Sequence, residues 1–220
     1  MLDPLQRPAL VIFDCDGVVV DSEGITNQMI RDELAAHGLD LPLGQIMSLF
    51  VGGTIAGLAQ RAREMGACLP QNWVESFYPR ICARLAENTP LIPGIVEIMD
   101  RLDSLKIPYC IGSNGRHEKM AATLGQYPEL LARLQGRIFA AQDVPKPKPA
   151  PDLFLHAAHS LGHGPEACVV IEDSATGARA ARTAGMRCFG FAPDGDGAHL
   201  AAEGAQPFHT MESLPKLLNL

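Results

Sequence analysis

The chain has 220 residues, 47% of them hydrophobic, which is enough for one large domain or a core with a smaller inserted unit. Its 18 Lys and Arg stand against 25 Asp and Glu for a net charge of −7, and no basic block could track a nucleic-acid backbone, so no nucleic-acid partner is expected. No apolar run approaches the ~18 residues of a membrane span and the opening MLDPLQRPAL holds no continuous apolar stretch, so no membrane partner and a cytoplasmic location are expected.

The first element is ALVIF, residues 9–13, an apolar run of strand length followed at once by DCDGVVVDSE. About ninety residues without a convincing strand come next, too many for an ordinary crossover, so something is inserted. Residues 22–37 place Ile25, Met29, Glu33 and Leu34 at near-helical spacing, and 54–65 and 71–87 also read as amphipathic helices. A small helical unit over 22–88 is therefore predicted, with 1–21 and 89–220 forming the remainder. Pro90, Pro93 and Gly94 punctuate the return, and IVEIMDRLDSLK, residues 95–106, is a further amphipathic helix.

Four more strand-length runs follow: IPYCIG (107–112), GRIFA (136–140), ACVVI (167–171) and MRCFGF (186–191). Helical segments alternate with them, which predicts an α/β fold with a parallel sheet covered by helices. The six cysteines form no CxxC pair, and Cys110, Cys168 and Cys188 fall inside these apolar runs, where a thiol behaves as a small hydrophobe in a reducing compartment.

Four of the five runs end in polar or small residues, DCDG, SNG, QDVPK and EDSATG. Ligands of open α/β sheets bind beyond the carboxyl ends of the strands, so these distant tails are expected to form one site. Asp14 and Asp16 follow the first run, with Gly17 allowing a sharp turn, and Glu172 and Asp173 follow the fourth. Two carboxylate loops side by side suit a hard cation with oxygen ligands, and Mg²⁺ is the usual one where phosphate is also bound. Ser113 and Asn114 offer hydroxyl, amide and loop N–H donors, and Lys148 offers an ammonium. A metal and a lysine bracketing one anion point to a phosphoryl group.

Each piece has a plainer reading. An isolated Asp14–Asp16 pair, or Ser113 with Asn114 and Gly115, is more simply a turn or helix cap. Ser174 reads as the N-cap of residues 175–184, and Asp21, Ser22 and Glu23 as a cap or hinge of the first inserted helix, with Glu23 also a candidate substrate contact. The seven histidines show no ligand spacing.

Taken together and in order, DCDGVVVDSE, SN, KPKPAPD and EDS resemble the haloacid dehalogenase-like hydrolases, in the subfamily of phosphoglycolate phosphatase-like enzymes and β-phosphoglucomutase. The resemblance spans Asp14 to Asp173. It implies a Rossmann-like core, an inserted α-helical cap, bound Mg²⁺ and reaction through an aspartyl-phosphate. By the same resemblance Asp14 is the nucleophile, Asp16 the general acid/base, Ser113 and Asn114 phosphate contacts, and Lys148, rather than Lys146, the lysine that steadies phosphate and nucleophile. Mg²⁺ would be held by Asp14, Asp173 and the Asp16 backbone carbonyl, with Glu172 a further or outer-shell ligand.

β-Phosphoglucomutases carry a histidine shortly after the first motif and a basic residue in the cap loop; here Thr26 and Ile55 stand nearest those places. Gly52, Gly53 and Thr54 are expected to shape a substrate pocket, with Arg61 or Arg63 as candidate anion contacts. Dehalogenation is disfavoured because those enzymes do not require the metal that Glu172 and Asp173 imply. The expected activity is Mg²⁺-dependent hydrolysis of a small phosphorylated metabolite, a sugar phosphate or phosphorylated sugar acid. A mutase and a non-catalytic phosphometabolite-binding protein are the alternatives, and the expected state is a monomer or weak homo-oligomer.

Overall fold

Six short strands form one fully parallel sheet: β1 (Leu10–Phe13), β2 (Tyr109–Ser113), β3 (Ile138–Ala140), β4 (Cys168–Glu172), β5 (Arg187–Phe191) and β6 (Gln206–Phe208), in the order β3-β2-β1-β4-β5-β6. The structure is a computed structural model and describes residues 7–50 and 52–220. The first six residues of MLDPLQRPAL and Val51 of the inserted loop lie outside the described residues.

The five predicted runs are all strands, each within one or two residues of its expected start and end. β6 was not expected, because three residues containing Pro207 carry no alternation and a proline without its N–H belongs on a sheet edge, where β6 lies. Both faces of the sheet are buried, as the period of two requires. Val11, Phe13, Tyr109, Ile111, Val169 and Ile171 belong to one apolar cluster, while Leu10, Ile12, Cys110, Cys168 and Val170 belong to another.

Between β1 and β2 run α1 (Glu23–Ala36), α2 (Leu43–Phe50), α3 (Ile55–Glu64), α4 (Trp73–Glu87) and α5 (Ile95–Ser104). Residues of α1 to α4 gather around a third apolar cluster that includes Ile30, Leu34, Ile46, Leu58, Trp73, Phe77, Ile81 and Leu85. Trp73 is 2% exposed, stacks on Phe77 at 4.6 Å and donates its indole N–H to Glu33 Oε2 at 3.1 Å. The stripe of α1 differs from expectation: Asn27, Ile30 and Leu34 are buried, whereas Ile25 and Met29 pack only partly. The helix is rotated so that its Asn27 side faces the pocket above the sheet. α2 went unpredicted because its eight residues are too few for a periodicity to be distinctive.

The chain passes between sheet and helices twice, and the two passages are bonded to each other. Val20 bridges Leu91 antiparallel, Asp21 N donates to Pro90 O at 2.8 Å, and Ile92 N donates to Val19 O at 2.9 Å. After β2 come α6 (His117–Leu124) and α7 (Pro128–Arg133), then α8 (Asp152–Ser160) after β3 and α9 (Ala175–Thr183) after β4. No helix among the described residues is long and apolar enough to cross a membrane.

Candidate active site

The sheet order reverses between β1 and β4, and the residues leaving those two strands meet there. Asp14 follows Phe13 directly, and its N–H donates to Ile171 O at 2.9 Å, which sets it beside Glu172 at the end of β4. Ser113 closes β2, and Lys148 arrives from the loop after β3. These side chains line one pocket of about 90 Å³, with Asp16, Glu23, Gly52, Gly53, Thr54, Asn114 and Asp173 also on its wall.

Lys148 is the centre of the charge network. Its ammonium lies 2.6 Å from Asp14 Oδ1 and 2.6 Å from Glu172 Oε1, with only 2% of the side chain exposed, and it also stands 4.6 Å from the centroid of the Phe154 ring. The two carboxylates hold it charged against the desolvation that would otherwise neutralise it. The other oxygen of Glu172 accepts from Ser174 N and Ser174 Oγ, both at 2.8 Å. Both Glu172 oxygens are thus engaged by protein groups, and the residue orients Lys148. Gly177 makes this possible, since a Cβ there would fall 1.7 Å from Glu172 Oε1.

Burial pushes the Asp14 carboxyl up to about 7, with Lys148 opposing and Glu172 and Asp16 adding to the rise. Burial, then Glu172, Glu23 and Asp14, raises Asp173 well above its ordinary value. Asp173 packs over Gly17, whose φ of +78° suits glycine and whose Cβ would fall 2.0 Å from Asp173 Oδ2. Acids therefore outnumber lysines around the pocket. Asp14, Glu23 and Asp173 are all pushed above their ordinary values, Asp14 even with Lys148 beside it, which is the situation a divalent cation relieves. Among the described residues no three His, Cys, Asp or Glu side chains stand in ligating geometry, so the donor set that fits is two carboxylates with backbone oxygen.

Asp16 behaves differently. Burial pushes its carboxyl up, but Lys119 and the Ser22 hydroxyl outweigh burial and hold it below the ordinary value. Lys119 Nζ lies 2.7 Å from Asp16 Oδ1, and Ser22 Oγ donates to the same oxygen. The expectation that Ser22 caps α1 is corrected here, because its hydroxyl turns to Asp16 and makes no cap bond.

Other expectations need adjustment. The Asn114 amide was expected to offer donors to a phosphoryl group. Its Nδ2 instead donates to Gly52 O and to Lys148 O, each at 3.0 Å, while Oδ1 accepts from Lys148 N at 2.9 Å, so the side chain braces three loops. Thr54 is the N-cap of α3, its Oγ1 accepting from Gly57 N at 3.0 Å, although it also borders the pocket. Arg61 and Arg63 are not pocket groups: Arg61 donates to Leu49 O and Arg63 to Leu69 O and Pro70 O. Ser174 is an N-cap, accepting from Gly177 N at 3.0 Å. Ser113 Oγ accepts from Gly115 N at 3.0 Å, which leaves its own proton for a ligand oxygen.

With this geometry in place, a sequence model described as haloacid dehalogenase-like hydrolase matches residues 8–185. The chain belongs to that family. Among haloacid dehalogenase-like relatives, the 6-phosphogluconate phosphatase of Escherichia coli is 28% identical over 97% of this chain and 96% of its own length. A conserved haloacid dehalogenase-like protein of Agrobacterium tumefaciens is 30% identical, with a TM-score of 0.81 and coverage of 96% of this chain and 97% of that one. A HAD family hydrolase of Deinococcus radiodurans, solved with bound phosphate and sodium, is 33% identical, with a TM-score of 0.74 and coverage of 97% and 96%.

Sequence reasoning missed Lys119 and Tyr78. Tyr78 enters the pocket from α4 and accepts from Arg116 N at 2.8 Å, with the Arg116 guanidinium 4.6 Å from its ring centroid. Lys119 carried one legible signal, its place on the first turn of a helix that follows the Ser113–Asn114 loop. Tyr78 carried none, because nothing local places its helix face over the sheet.

Proposed function

We propose that the protein is a Mg²⁺-dependent phosphoric monoester hydrolase acting on a small phosphorylated metabolite, a sugar phosphate or phosphorylated sugar acid, through an aspartyl-phosphate on Asp14. The observation that carries this reading is Lys148 at 2.6 Å from Asp14 in a small pocket that Ser113 and Asp173 also line. The Escherichia coli relative named for a phosphorylated sugar acid and the phosphate in the Deinococcus structure support the substrate class.

In this reading Asp14 attacks phosphorus and the bond from phosphorus to the leaving oxygen breaks. Asp16 delivers a proton to that oxygen, then takes one from the water that cleaves the aspartyl-phosphate, returning Asp14 and releasing phosphate. Since Lys119 and Ser22 favour ionised Asp16, the proton it delivers has to be taken from solvent before the leaving oxygen departs. Lys148 offsets the repulsion between the Asp14 carboxylate and the phosphate dianion, and Ser113 donates to a phosphoryl oxygen. Asp14, Asp173 and the Asp16 carbonyl would hold Mg²⁺, which when bound would supply further charge neutralisation over the phosphoryl oxygens. Residues 22–88 act as a cap that covers the leaving group with Glu23, Gly53 and Thr54, and excludes bulk water.

Thr26 and Ile55 both line the pocket, and neither supplies the base or the cation of a mutase. Phosphate release from a panel of sugar phosphates, phosphorylated sugar acids and nucleotides, with Mg²⁺ and with EDTA, tests the reading. Metal-dependent release is expected. No release from any member, with tight binding of one of them, would favour a binding protein instead.

A further inference from the structure

The lysine beside Asp16 has no part in the four motif segments, yet it is better placed than most of their residues. Lys119 sits on the first turn of α6, lines the pocket, and keeps only 11% of its side chain exposed. Its ammonium and the Ser22 hydroxyl converge on one oxygen, Asp16 Oδ1. Among the described residues Asp16 Oδ2 receives no hydrogen bond.

A carboxylate on a short stem can turn about its last torsion, which has a broad twofold minimum. Exchange of its two oxygens would interrupt a proton transfer that needs one oxygen aimed at the leaving group and then at water. Ser22 alone cannot prevent this, because it sits at the start of the helical insertion and would move with it. Lys119 belongs to the sheet side, on the helix that follows Ser113 and Asn114. We infer that Lys119 is a positioning residue that anchors Asp16 Oδ1 to the sheet half of the molecule, leaving Oδ2 as the oxygen that exchanges the proton.

This inference rests on the phosphatase reading and is separable from it by experiment. Wild type, Lys119→Met, Lys119→Arg, Asp16→Asn and the double variant Asp16→Asn/Lys119→Met are compared with Mg²⁺ on a fluorogenic aryl phosphate and on an alkyl phosphate that the panel shows to be turned over. Lys119→Met is expected to lower kcat on the alkyl phosphate about 10- to 100-fold with KM changed less than about threefold, part of the 10²–10⁴ that a positioned acid/base contributes. Lys119→Arg should recover most of the loss. In the Asp16→Asn background, removing Lys119 should cost nothing more on the aryl phosphate, because the group it positions is already gone. NMR of the lysine ammonium groups gives a readout independent of turnover: a slowly exchanging Lys119 signal in wild type, lost in Asp16→Asn.

An active wild type with an equally active Lys119→Met variant overturns the inference and leaves the phosphatase reading standing. The inference also fails, with the phosphatase reading again intact, if the Lys119→Met loss persists in the Asp16→Asn background or lies in KM alone. Should Lys119→Met fail to fold, the NMR signal and the Lys119→Arg rates decide. Wild type inactive on the whole panel removes the phosphatase reading and this inference with it.

Discussion

Lys148 and Asp14 share a 2.6 Å contact across 134 residues of chain, and both are nearly withdrawn from solvent. Glu172 completes the arrangement from the other side of the lysine at the same distance. Replacing the lysine by methionine would leave two carboxylates buried without their cation, so Lys148→Met should lower stability by about 3–5 kcal/mol as well as abolish turnover. Asp14→Asn removes a charge that burial already disfavours, so it should fold normally and lose turnover by about 10³-fold or more. Thermal unfolding and phosphate release read the two quantities. A Lys148→Met variant as stable as wild type would contradict the role given to this contact.

Two glycine substitutions should move in opposite directions. A Cβ on Gly177 would fall 1.7 Å from Glu172 Oε1, so Gly177→Ala must displace the carboxylate that orients Lys148 and should cost about 1–3 kcal/mol. Gly44 lies in α2 with nothing within 4 Å of its added Cβ, so Gly44→Ala should gain about 0.5–1 kcal/mol. Urea denaturation of both variants gives the comparison, and equal signs would refute it.

The response to pH follows from Asp14. The unfolded carboxyl titrates near 3.8, whereas the folded one keeps its proton up to about 7. The folded state therefore binds more protons across that window, and its stability falls as the pH rises through it. Asp173 contributes in the same direction. A divalent cation needs the deprotonated groups and gains affinity as the protons leave. In EDTA the unfolding midpoint should be higher at about pH 5.5 than at about pH 8, and added Mg²⁺ should raise it more at the higher pH. A Mg²⁺ effect larger at the lower pH would count against Asp14 and Asp173 as its ligands.

Trp73 is the chain's single tryptophan and lies within the third apolar cluster, so its fluorescence follows the helical insertion alone. If residues 22–88 form a separate cooperative unit, the fluorescence transition in urea should precede the loss of far-ultraviolet circular dichroism. Coincident curves would mean that insertion and sheet unfold together.

Much of this was legible in the amino-acid string, for identifiable reasons. Strands buried on both faces leave continuous apolar runs, so ALVIF and ACVVI announced themselves, and glycine and acid at their ends marked where a ligand would sit. Lys119 stayed hidden because its meaning depends on which side chain the loop after another strand presents to it. Asn114 shows the reverse: its place in a motif suggested contact with ligand, while its amide is spent on the backbone of Gly52 and Lys148. The direction of a side chain after a strand depends on neighbours that local pattern does not encode. The β6 edge failed for another reason, since three residues with a proline carry too little pattern to be distinguished from a loop.

The paired passages at Val20 and Leu91 have a mechanical implication. The bonds joining Asp21 to Pro90 and Ile92 to Val19 hold the outgoing and returning segments side by side. The Asp21 bond lies two residues before Glu23, so the pairing of the two passages also fixes where α1 begins.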